Sequence, residues 1–103
     1  MAQFDVYHHP IEEWRALQPY VVDVQSSWVQ GSDLRLTVPL LRKNLGASAS
    51  RLYPQLTVQG EALVLDTLGM AAYPVQDLRA RAGSLQAASE AICAALDYAL
   101  YGY

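Results

Sequence analysis

Few residues in this chain are of types that do chemistry, and their spacing works against most reactions. His8 and His9 are the two histidines, and they are adjacent. Neighbours on a strand point to opposite faces, so the pair is poorly placed to ligate one metal or act on one substrate. Glu12 and Glu13 form an acidic pair between Pro10 and Pro19. Acid–base work by two carboxylates needs a fixed separation in a cleft, which a solvated connection does not supply. Ser26, Ser27, Ser48 and Ser50 lack the strand–turn–helix setting of an activated nucleophile. Arg42 and Arg51 are the candidate phosphate-contacting pair of an RNA-cleaving enzyme, although a nuclease of this size calls for more positive potential. Cys93 is the single cysteine; it forms no internal disulfide, and its apolar surroundings read as those of a small buried thiol. There is no phosphate loop and no Cys/His metal spacing. No catalytic residue, metal or cofactor is expected.

Composition points to contact instead. The 103 residues suffice for one domain, 1–103, with one modest core. Hydrophobic residues make up 52% and charged residues 17%, an apolar surplus that suggests an obligate oligomer. The net charge is −3 and the one adjacent basic pair is Arg42-Lys43, which argues against nucleic acid as a direct partner. No basic stretch followed by an apolar run opens the sequence, so no signal peptide is expected. No run reaches the 18 or so apolar residues of a spanning helix. A soluble, cytoplasmic protein is the expectation.

Asp97 is the only charged residue between Ala91 and Tyr103. A helix apolar on nearly every side must bury more than one face, and a small domain offers one core. Tyr101 and Tyr103 suit a surface that is wet when free and dry when bound. Trp14, Trp28, Tyr53 and Tyr73 read as core or interface anchors.

The elements that position these residues are mostly strands. Phe4, Val6 and His8 alternate with Asp5 and Tyr7. Residues 20–25 form a second strand, with Val22 and Val24 opposite Asp23 and Gln25. Leu34, Leu36, Val38 and Leu40 alternate with Arg35, Thr37 and Pro39, the clearest period of two. Pro39 cannot donate to a ladder, so that end of the strand is expected at an edge. Residues 56–59 and 62–66 flank Gly60-Glu61 as a hairpin. Residues 72–78 are a weaker strand interrupted by Pro74. Connections are expected at 10–19, 31–33 and 42–50, with 44–48 the most loop-like. Gly83-Ser84 then supplies a break and an N-cap. Leu85, Ala88, Ile92, Leu96 and Ala99 follow at helical spacing. Short antiparallel strands closed by one C-terminal helix predict a mainly β fold, a small barrel-like sheet with the helix against it.

Several runs in register resemble the CcdB toxins. Gln3-Phe4-Asp5-Val6-Tyr7 is similar to the family's first strand. Val22-Asp23-Val24-Gln25-Ser26, Thr37-Val38-Pro39-Leu40, Arg51-Leu52-Tyr53-Pro54, Met70-Ala71, Pro74-Val75 and Gly102 follow in order. The resemblance spans essentially the whole chain. It implies a homodimer of SH3-like barrels of the CcdB/MazF-like type, each with a C-terminal helix. It implies the toxin of a toxin–antitoxin pair of the kind that serves plasmid maintenance. Such a toxin is no enzyme: it binds the DNA gyrase A subunit and traps the enzyme on cleaved DNA. A CcdA-like antitoxin removes it, and contact with operator DNA is expected only through that antitoxin.

The resemblance carries residue roles with it. Trp28, Val29, Asp97, Leu100, Tyr101, Gly102 and Tyr103 are the expected gyrase contacts. The family's closing Trp-Gly-Ile reads Tyr101-Gly102-Tyr103 here, Leu100 stands for a Phe, Asp97 for an Asn, and Trp28-Val29 for Ile-Ile. The family Trp stacks on an arginine of the A subunit, and tyrosine makes a weaker cation–π contact. Met70 and Ala71 are expected at the dimer interface. Trp14, Arg42, Lys43 and Asn44 are expected to meet the antitoxin. Two alternatives stand beside this reading: a MazF-like endoribonuclease, and a degenerate relative that binds antitoxin without poisoning gyrase.

Overall fold

The computed structural model describes residues 1–42 and 49–103. The expected loop 44–48, with Lys43, Asn44 and Ser48, lies outside the described residues. Alternating apolar residues form the strands β1 (Asp5–His8), β2 (Tyr20–Asp23), β3 (Leu34–Arg42), β4 (Gln55–Val58), β5 (Glu61–Leu65), β6 (Ala71–Pro74) and β7 (Arg81–Ser84), followed by the helix α1 (Ser89–Tyr101). The strands make one antiparallel sheet in the order β4-β5-β3-β2-β1-β7, with β6 also on β3. The sheet curls into a half-barrel. At its closing seam the Gln59 side-chain amide, on the β4–β5 turn, donates to the Ala82 carbonyl of β7 at 2.9 Å.

The concave face carries the core. Val6, Val22, Val38 and Leu40 point inward with Leu56, Val58, Leu63 and Leu65, and Ile92 and Ala95 of α1 close over them. Fully burying one such aliphatic side chain is worth about 1.5–3 kcal/mol. The convex face is also covered in part: Tyr7, Val21 and Leu78 form a second cluster with Tyr73. Strands β1 and β2 are therefore buried on both faces. Asp23, on that convex face, is fully buried, and its carboxylate takes the Arg35 guanidinium at 2.7 Å and the Gln25 N–H at 3.0 Å.

Pro39 does not lie at an edge. It sits in the middle of β3, opposite Val21 of β2. In a strand the N–H and C=O of one residue point to the same side. The Pro39 carbonyl accepts the Asp66 N–H at 2.9 Å. Its missing N–H therefore faces the gap where β5 has ended and β6 has not begun, and no bond to β2 is lost.

Other boundaries also shift. The hairpin turn is Gln59-Gly60, one residue earlier than expected; both residues have positive φ (49° and 80°), as a type I′ turn requires. β7 lies where a break was expected. Gly83 stands opposite Val6 and Arg81 opposite Tyr7, so Ala82 is the extra residue of a bulge. Ser84 does not cap the helix: its hydroxyl accepts the Gln86 N–H at 3.1 Å at the entry to a 3-10 turn over Gln86–Ala88, whose N-cap is Leu85, and the N-cap of α1 is Ala88. The helix begins after that turn. β6 ends at Pro74, and Leu78 folds back into the convex cluster. No helix among the described residues is long and apolar enough to cross a membrane.

Candidate functional site

Among the described residues, several of the groups able to do chemistry are occupied with structure. His9 is buried; its Nδ1 accepts the Ile11 N–H at 3.0 Å and its ring lies among Trp14 and Tyr73. Burial holds its imidazole below the ordinary range, and Arg15 adds to that effect. His8 points to the other face, against Tyr20. Glu12 and Glu13 are exposed on a 3-10 turn, Glu12–Trp14. Ser26 Oγ accepts the Trp28 N–H and Ser50 Oγ the Tyr53 N–H, so both hydroxyls shape turns. Arg42 pairs with Glu61 and donates to the Ala16 carbonyl, whereas Arg51 lies over the Tyr98 ring. The suggested phosphate pair is thus divided between two sites. Among the described residues no group of three or more His, Cys, Asp or Glu is placed to hold a metal ion.

What the fold leaves uncovered is apolar. Helix α1 meets the sheet along one stripe, Ile92 and Ala95, flanked by half-buried Ala88, Leu96 and Ala99. At about 100° per residue, Tyr101 points away from Ile92. Tyr98, Leu100, Tyr101 and Tyr103 are 44%, 60%, 66% and 76% exposed, and Asp97 is exposed beside them. Cys93 is exposed too, contrary to the expectation of a buried thiol. A run apolar on all sides hid which stripe the sheet would take, and position 93 falls outside it.

The helix end is well defined. Gly102 adopts the left-handed conformation at φ 82° and its N–H bonds the Tyr98 carbonyl at 3.0 Å, so it is the glycine cap of α1. The Tyr101 and Tyr103 rings stack with centroids 6.2 Å apart. The Arg51 guanidinium carbon stands 5.0 Å from the centroid of the Tyr98 ring.

Trp28 and Val29 lie on the β2–β3 connection. Ser26 turns the chain there with its hydroxyl and its carbonyl, which accept the Trp28 and Val29 N–H groups, and Trp28 is left 90% exposed. Met70 packs on the chain's own core, and the Ala71 carbonyl accepts the Thr37 hydroxyl. The exposed member of that strand is the next residue, Ala72, opposite Leu36, with Pro74 opposite Leu34. Leu34 and Leu36 continue the inward-facing row of Val38 and Leu40 beyond the reach of the helix. Their exposure was not foreseen, because alternation marks a face and not what covers it. Trp14 is half-exposed against His9, and Arg42 is held by Glu61.

A curled antiparallel sheet with one terminal helix and an apolar face left bare defines a small, mainly β protein with an uncovered apolar surface. The family model for the CcdB protein matches residues 3–102, and the chain belongs to the CcdB family. It is the toxin type of a toxin–antitoxin pair. No curated protein matches it significantly.

Proposed function

We propose that this toxin poisons DNA gyrase: as a homodimer it binds the gyrase A subunit, traps the cleaved enzyme–DNA complex, and is released by a CcdA-like antitoxin. The observation that carries this reading is the bare aromatic end of α1 in a chain of the CcdB family. Tyr101 and Tyr103, with Leu100, Asp97 and Gly102, form the main contact; Trp28 and Val29 add a second. A two-fold toxin meets both A subunits of a two-fold enzyme, and two linked contacts bind more tightly than one. Holding the subunits apart prevents religation with no bond made or broken by the toxin. The uncovered face of Leu34, Leu36 and Ala72, continuous with Met70, is where a second copy packs.

The test is a cleavage assay with supercoiled DNA, ATP and gyrase of the organism that carries the gene. Wild-type toxin should yield linear DNA after denaturation, and Tyr101→Trp should yield at least as much, because tryptophan is the stronger cation–π partner. Linear DNA with Tyr101→Trp alone would mean that the scaffold survives and the native terminus has lost its grip. Linear DNA with neither would overturn the reading.

A further inference from the structure

One cation stands apart from the rest. Among the described residues Arg35, Arg42 and Arg81 pair with Asp23, Glu61 and Asp5, and Arg15 and Arg79 donate to the carbonyls of His9 and Gln76. Arg51 has none of these partners among the described residues; its contact is the face of Tyr98. A guanidinium lying over a ring face keeps the N–H donors at the edges of its own plane free for a planar acceptor. The ring belongs to the exposed row: Tyr98 and Tyr101 lie three residues apart on α1, and Tyr103 stacks on Tyr101. Arg51 is therefore an orientated, exposed cation at the margin of a bare aromatic surface.

A partner can silence a toxin working by contact by covering that surface. A chain segment laid on apolar side chains alone has little to set its register, and a charge-assisted pair supplies it. We infer that Arg51, held by Tyr98, receives a carboxylate of the antitoxin segment and fixes where that segment lies on α1. The inference rests on the toxin–antitoxin reading and not on gyrase poisoning. Charge complementarity selects the group: among the described residues Arg51 is the cation seen to border this surface, and a carboxylate is its complement.

The probe is the toxin-binding segment of a CcdA-family antitoxin, made as a synthetic peptide. It is made in its parent form and as a set in which each Asp or Glu in turn becomes Asn or Gln. Affinities are measured by calorimetry for full-length wild type, Arg51→Gln, Arg51→Lys, Tyr98→Phe and Tyr98→Leu. Arg51→Gln should weaken the parent peptide about tenfold or more, the size of a charged hydrogen-bonded pair. One peptide of the set should bind wild type and Arg51→Gln alike, which identifies the carboxylate. Arg51→Lys should fall between, Tyr98→Phe should match wild type, and Tyr98→Leu should weaken the same carboxylate's contribution. An equal loss for every peptide, or no loss, overturns the inference. So does Arg51→Gln weakening gyrase binding while antitoxin binding stands. A parent peptide that fails to bind wild type sinks the antitoxin reading together with this inference, whereas the DNA-cleavage assay tests gyrase poisoning separately.

Discussion

Asp23 and His9 show what single buried groups do here. Asp23 lies fully buried with Arg35 on its carboxylate. Burial nonetheless pushes its carboxyl above the ordinary range, despite the Gln25 N–H and Arg35, which act the other way. Removing one partner of a buried pair strands the other, at about 3–5 kcal/mol. Asp23→Asn should lose stability of that order in urea denaturation, and a loss below 1 kcal/mol would mean that Arg35 finds water. His9 acts through pH. Its imidazole is depressed from 6.5 by burial, so the unfolded chain takes up a proton before the folded one does. The stability His9 contributes is present above 6.5 and drains away as pH falls through the lowered value. His9→Gln should therefore flatten the decline of the urea midpoint between pH 7 and 5, and parallel curves would assign the decline to other groups. The adjacency of His8 and His9 foretold opposite faces. It did not foretell that one face would be closed by Trp14 and Tyr73, because those residues arrive from a 3-10 turn and a distant strand.

At the level of elements, the end of α1 serves structure and contact together. Gly102 caps the helix at φ 82°, a conformation that costs residues with a Cβ about 1–2 kcal/mol. Gly102→Ala should lower stability by about 1 kcal/mol and fray the last turn, lowering helical ellipticity; Gly102→Asn should recover part of both. If both variants keep full stability yet lose partner binding, the residue serves contact alone. The helix, the β4–β5 hairpin and the long strand were legible in the sequence, since each has a strict period or a glycine turn. β7 was not. Arg81-Ala82-Gly83-Ser84 has little side-chain bulk to alternate and carries a bulge, so its pairing with β1 is set by backbone bonds across the molecule. Pro39 misled for a related reason: only the split between β5 and β6 makes a proline tolerable in a central strand.

For the whole molecule, the core face runs on past its own helix. Leu34, Leu36 and Ala72 lie bare where Val38 and Leu40 are fully buried. A second copy placed there makes a testable dimer. Ala72→Glu should give a folded monomer by sedimentation, and so should Leu36→Asp, while Ala71→Glu acts on the opposite side of β6. An unchanged dimer for both Ala72→Glu and Leu36→Asp would remove the interface from this face. The monomeric variants should also lose the gain in gyrase affinity that two linked contacts supply.

From its sequence alone this chain could be known as a mainly β protein with a C-terminal helix, apolar in excess and poor in reactive groups. Period, glycine position and residue type are local properties, and they decide local conformation. Which stripe of the helix meets the sheet, why Cys93 and Tyr98 face outward, and how Arg51 comes to lie on Tyr98 depend on residues far apart in the chain. Burial is a relation between elements, so it was settled only when the sheet curled and one face of the helix closed over it.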